Sequence, residues 1–462
     1  MTFDLTRELT ERAGESFALH ERYLNPQMVR MLKTIGFDRH YVRAEGQYLF
    51  DRAGERYLDL LSGFGVFAVG RNHPTVKKAL QDVIAADLPN LVQMDVSLLA
   101  GLLAERLLSH LPGQDNVFFC NSGTEAAEAA IKFARAATGR SKMVYCDHAF
   151  HGLTVGSLSL NGDRSFRDGF GPLLADAARI PFNDLPALAA ALSEGDVAAF
   201  FVEPIQGKGV NVPAPGYLAE ATRLCRRHKA LLVMDEVQTG LGRTGRFLAS
   251  AQPDVDPDLV LLAKALSGGF VPVGAVAGKR WVFDKMFNRM DRAVVHGSTF
   301  GKNNLAMAAG LATLSVLEDE DLMVNAARRG ANLLRRLGAL TAKYEMLKEV
   351  RGEGLMIALE FGPPKSLALR GAWALLEKAT KGLFCQMVII PLLTRHRILS
   401  QVAGHEMYVI KLLPSLCLSQ EDEDWIVRAM DDVIADCHKL PSSIWELAST
   451  LTRNSLKGKA GI

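Results

Sequence analysis

Between Asn116 and Gly278 the chain alternates short apolar runs with longer amphipathic ones. The runs Val117–Cys120, Met143–Cys146, Ala198–Val202, Leu231–Met234, Leu259–Leu262 and Val273–Ala277 have the length and apolarity of strands buried on both faces. Between them, Thr124–Thr138 and Gly216–His228 carry apolar residues at helical spacing. Strands of this kind separated by helices predict a largely parallel α/β sheet. Such sheets receive ligands at the carboxyl ends of their strands. After about Asp319 the pattern changes. A helical stretch over Leu322–Tyr344 leads into Leu347–Phe361 with a turn at Gly352 and Gly354, and mixed pieces run on to Leu440. The expected organisation is a large domain over 70–320, a smaller α+β domain from 1–69 and 321–440, and an extension over 441–462.

Composition narrows the function classes. The 462 residues are 48% hydrophobic and 23% charged with a net charge of +2, which gives no electrostatic footprint for nucleic acid. Met1 to Phe17 has neither the apolar stretch of a signal peptide nor the acid-poor character of a transit peptide. The best spanning candidate, Leu259–Val276, holds Lys264 and three glycines, so no membrane helix is expected. The six cysteines are scattered without metal-like spacing. They read as buried free thiols, no metal is expected, and the default location is the reducing cytoplasm.

Three segments carry candidate chemistry. Asn121-Ser122-Gly123-Thr124 follows a strand and opens a helix, where unpaired N–H groups and hydroxyls suit either a phosphate or a simple cap. Asp235 ends the strand at Leu231–Met234, a position open to cofactor contact, Mg²⁺ binding or capping. Lys264 lies in an apolar run where a charged amine is costly. It is therefore used chemically, or it snorkels to an edge.

Strand–Ser-Gly-Thr–helix, strand–Asp and strand–Lys, in that order, resemble the fold-type I pyridoxal-phosphate enzymes. Six motifs resemble the class III aminotransferases, the ornithine/acetylornithine/4-aminobutyrate group, over roughly Tyr48 to Asp436. They are Asn121–Ala126, Phe150-His151-Gly152, Glu203–Gly207, Asp235–Gly240, Ala263–Gly269 and His296–Gly301. The resemblance implies that Lys264 holds the cofactor as a Schiff base and then carries a proton. It implies that Asp235 pairs with the ring nitrogen, that Phe150 and Val237 cover the two ring faces, and that His151 belongs to the same site. Gln238 would reach the ring hydroxyl, Glu203 would orient that side, and Ser122, Gly123 and Thr124 would cradle the phosphate. Thr299 resembles the residue that meets the cofactor phosphate of a neighbouring subunit, which implies a homodimer with shared sites.

The departures concern the substrate. Lys411 stands where ornithine-type enzymes carry a carboxylate-gripping arginine, and Lys208 where they carry the glutamate that shields it. Leu153 replaces another arginine, Phe64 a hydroxylated tyrosine, and Phe67 makes the mouth more apolar still. Unpaired polar groups in a dry pocket are costly, so ornithine is disfavoured and a hydrophobic aldehyde or its amine is expected, with an amino acid as the other partner. Two lysines facing one pocket would either share a substrate anion, or one of them would turn away to solvent. Ile444, Trp445, Ala448 and Leu451 share a helical face beyond Pro441, followed by Arg453, Lys457 and Lys459. They fit a helix packed on its own dimer or a weak membrane-surface anchor. Amino-transferring enzymes of hopanoid-lipid or alkyl-pyrrole pigment pathways resemble this chain, including the Gly404-His405 to Leu413 stretch. The competing readings are an ornithine- or acetylornithine-type enzyme and a cofactor-binding protein without catalysis.

Overall fold

The structure, a computed structural model, describes residues 3–92, 95–379, 382–403 and 408–439. The extension read over 441–462 and residues 404–407 lie outside these.

A seven-stranded sheet forms the centre. In spatial order its strands are Asn116–Cys120, Gly274–Gly278, Leu259–Leu262, Leu231–Asp235, Val197–Val202, Lys142–Cys146 and Ala177–Ile180. All but Gly274–Gly278 run the same way; that strand lies antiparallel to both its neighbours. The inner strands are buried along their whole length, as their unbroken apolar runs require. Because the parallel strands share a direction, their carboxyl ends fall on one edge. The segments after Cys120, Cys146, Val202, Asp235 and Leu262 therefore come together there.

The helix predicted over Thr124–Thr138 spans Gly123–Thr138 and is closed by Gly139 at φ 70°. The one predicted over Gly216–His228 starts one residue later, at Tyr217, because Gly216 is left-handed. The stretch predicted to run to Tyr344 is α-helical over Leu322–Gly338 and then tightens to a 3₁₀ turn over Ala339–Ala342. The strand Ala177–Ile180 escaped the sequence pattern, being a short, half-buried edge strand.

Two smaller sheets draw on both ends of the chain. Tyr41–Glu45, Tyr48–Asp51 and Arg56–Asp59 form one with Ile398–Leu399, which pairs in parallel with Arg56–Asp59. The other joins Leu347–Glu353, Met356–Phe361, Val409–Leu412 and Gln401–Val402; its hairpin turns at Gly354 as predicted, whereas Gly352 stays in the strand, paired with Ile357. No described helix is long and apolar enough to cross a membrane.

Candidate active site

The converging loops line a cavity of about 620 Å³. Its wall includes Asn121 to Thr124, Phe150 to Leu153, Asp235, Val237, Ala263, Lys264 and the apolar run Phe270–Val273. Three segments far apart in sequence, each picked out for its chemistry, thus meet in one place.

Asp235 ends its strand almost fully buried. One carboxylate oxygen meets Nδ1 of His151 at 2.7 Å, and the other accepts the N–H of Val237 at 3.0 Å. Burial disfavours a charged His151, but the Asp235 carboxylate outweighs it and raises the imidazole above its ordinary value. The second nitrogen of His151 is buried with no hydrogen-bond partner among the described residues, and the residue lines the cavity. Lys264 opens a short 3₁₀ turn at φ 45°, a strained geometry for a non-glycine. Burial depresses its amine below the usual lysine range, against the opposing pull of Asp235 and Glu203. Such an amine is readily unprotonated, the state in which lysine attacks carbonyls.

Ser122 caps the helix Gly123–Thr138, its hydroxyl accepting the N–H of Glu125 at 3.2 Å. The start of that helix, whose first N–H groups have no helical acceptor, lines the same cavity. A Cβ on Gly123 would stand 2.9 Å from Val237, so the helix start and the Val237 loop close tightly on each other. An acidic floor, a depressed amine, an unpaired imidazole nitrogen and an anion-accepting helix start together fit a phosphorylated pyridine aldehyde.

Behind the floor, Glu203 accepts the N–H of Phe150 at 3.0 Å and that of Gly207 at 2.7 Å. Burial raises its carboxyl. Gln238 does not line the cavity. Its Nε2 donates to the Phe64 carbonyl at 3.1 Å and its Oε1 accepts from Lys411 at 3.2 Å. Thr299 is apart from Lys264, in a separate depression with Pro89, Ser97, Ser298 and Lys302.

Of the four residues read as substrate contacts, only Leu153 lines the cavity. Phe64 is exposed beside it, on a turn the sequence did not reveal. Ser62, Gly63, Phe64 and Gly65 take φ of 48, 61, 61 and 92°, a left-handed turn that costs about 1–2 kcal/mol at each non-glycine. Asp59 holds it by accepting the N–H of Leu61 at 2.9 Å and of Ser62 at 2.8 Å. Phe67 is wedged against Gly269 and under the Arg71 guanidinium. The two lysines do not share a pocket, yet neither turns to solvent: both are buried on partners within the protein. Lys208 pairs with Asp163 and covers the Phe166 ring, while Lys411 is buried against Gly207 and Gln238.

Lys411 makes no ion pair among the described residues, and burial drops its amine to about 7. The folded chain thus holds this proton more weakly than the unfolded one. Stability should climb as pH rises from about 7 towards the ordinary lysine value near 10.5, and the full cost of charging persists below 7. Lys411→Met should flatten that slope. In urea melts, wild type should gain roughly 2 kcal/mol relative to the variant between pH 7 and 9. Parallel curves would place the amine in water.

Residues 29–434 match the family described as Aminotransferase class-III. The chain belongs to the class-III aminotransferases, pyridoxal-phosphate enzymes of fold type I. It is 35% identical over 447 residues to Aminotransferase PigE of Serratia sp., covering 90% of this chain and 52% of that protein, so it spans about half that relative's length. The ornithine aminotransferase of Toxoplasma gondii superposes with a TM-score of 0.77 at 32% identity, over 89% of this chain and 96% of the other. An amine transaminase from an uncultivated Pseudomonas species, in its pyridoxal-phosphate-bound form, gives 0.74 at 30% identity over 86% and 94%.

Proposed function

We propose that this chain is a pyridoxal-phosphate-dependent aminotransferase acting on a hydrophobic aldehyde and its amine, with an amino acid as the other partner. The observation that carries the reading is one cavity uniting the depressed Lys264 amine, the Asp235–His151 pair and the start of the helix Gly123–Thr138. When bound, the cofactor supplies an electron sink for the carbon that bears the amine. Lys264 anchors it and moves the proton at that carbon. Asp235, steadied by His151, keeps the ring nitrogen protonated, while Phe150 and Val237 hold the ring between them. Glu203 and Gln238 orient its hydroxyl side, and Ser122, Gly123 and Thr124 hold its phosphate. Thr299 completes the site of a second copy of the chain in a homodimer.

The wall supports the proposed substrate class. Leu153 and the run Phe270–Val273 offer apolar surface, and Lys208 is neutralised by Asp163. Amine-loaded enzyme offered a mixture of alkyl aldehydes and keto acids should aminate the aldehydes first, as read by mass spectrometry of the products. Similarity to the Toxoplasma gondii enzyme favours a second reading, an ornithine-type activity. Rapid turnover of ornithine with none of alkyl amines would establish that one instead.

A further inference from the structure

Lys411 occupies a carboxylate-gripping position in the sequence pattern, yet the structure spends its amine on the protein. It shares a face of the strand Val409–Leu412 with Val409, beside the buried cluster of Ile205, Met356 and Leu413. Ala358 of the same cluster is its partner across the sheet, and only 5% of the lysine is exposed. The amine has at least two protons in either charge state, and two are committed. One goes to the Gly207 carbonyl at 2.6 Å and one to Gln238 Oε1 at 3.2 Å.

The consequence falls on Gln238. An amide side chain has two nearly isosteric orientations, and its neighbours decide between them. Here Oε1 faces the lysine, while Nε2 faces the Phe64 carbonyl at 3.1 Å. Turning the amide over would set oxygen against the Phe64 carbonyl at any pH, and NH₂ against the lysine, a contact that is repulsive while the amine is charged. Lys411 thereby fixes which end of Gln238 is the donor, and the second N–H has no partner among the described residues. It also pins the Gly207 peptide, whose N–H is held by Glu203 at 2.7 Å. A Cβ on Gly207 would stand 2.6 Å from Gln238 Oε1, so only glycine leaves this junction open.

We propose that Lys411 is a positioning residue that sets the donor orientation of Gln238 from a neighbouring sheet, and is not the reader of the donor's carboxylate. This rests on the reading that Gln238, next in the chain to the wall residue Val237 though not itself in the wall, reaches the ring hydroxyl of the cofactor. A residue acting this way affects amine donors with and without a carboxylate alike.

The test is a double-mutant cycle on the cofactor-loaded enzyme with two donors, an α-amino acid and a straight-chain alkylamine. Lys411→Met should lower kcat about tenfold for both donors and leave the ratio of their KM values unchanged. Lys411→Gln, which retains a donor, should recover part of that loss. In a Gln238→Leu background, Lys411→Met should cost less than about twofold more. A KM rise confined to the amino acid would make Lys411 a carboxylate reader and overturn the proposal. So would losses that multiply across the two sites, or an unaffected kcat. Gln238→Leu turning over at the wild-type rate would remove the Gln238 reading itself, whereas a crippled Gln238→Leu made worse by Lys411→Met would overturn the Lys411 role alone.

Discussion

Lys264→Ala is expected to lose on the order of 10³-fold or more in transamination while folding at least as well as wild type. The two halves of this expectation have one cause. Burial has already depressed the Lys264 amine, so the folded chain bears a cost that alanine does not. The strained φ of 45° at Lys264 adds to that cost, and alanine inherits it unchanged. What alanine cannot supply is a nitrogen that bonds the cofactor and then moves a proton at the reacting carbon. Single-turnover product formation reads the first half and thermal melting the second. A variant transaminating at full rate would overturn the assignment. A collapsed melting temperature would show that the amine is a structural strut.

Much of this site is legible in the amino-acid sequence, for a physical reason. Strands buried on both faces announce themselves as unbroken apolar runs, and a polar residue at the end of such a run is conspicuous. Asp235 and Lys264 stand out that way, and Ser122 to Thr124 by the strand-to-helix switch they occupy. The features that escape arise from contacts between distant segments. Nothing local to Ser62–Gly65 shows that four successive residues turn left-handed. The turn depends on Asp59 and on Ser415, whose hydroxyl lies 3.2 Å from that of Ser62. Lys208 and Lys411 read as a pair from their places in the motifs, but Asp163 takes one and Gly207 with Gln238 take the other. Arg243, fully buried and donating to the carbonyls of Leu355 and Pro414, carries no local signal.

Gly152→Ala is expected to cost more than about 3 kcal/mol of stability and on the order of 100-fold in cofactor affinity. Gly152 sits at φ +131°, and a Cβ there would stand 2.3 Å from Thr124 Oγ1 and 2.6 Å from Ser157 Oγ. Both neighbours are tied into hydrogen bonds that a retreat would break. Thr124 Oγ1 lies 2.8 Å from the Thr154 hydroxyl and 2.7 Å from that of Ser157, and accepts the Thr154 N–H at 3.2 Å. Glu128 ties the other end of this cluster, accepting the Thr154 hydroxyl and the Ser157 N–H. The strain therefore passes into Thr124, a residue assigned to the phosphate. Gly139→Ala is the control. It has φ +70° but nothing within 4 Å of its Cβ, so it should cost about 1 kcal/mol and leave cofactor binding alone. Binding measured with pyridoxal phosphate and with pyridoxal, which lacks the phosphate, locates the damage. Gly152→Ala should lose affinity for the first far more than for the second. Equal losses would move the phosphate away from Thr124, and wild-type affinity for both would show that this wall yields freely.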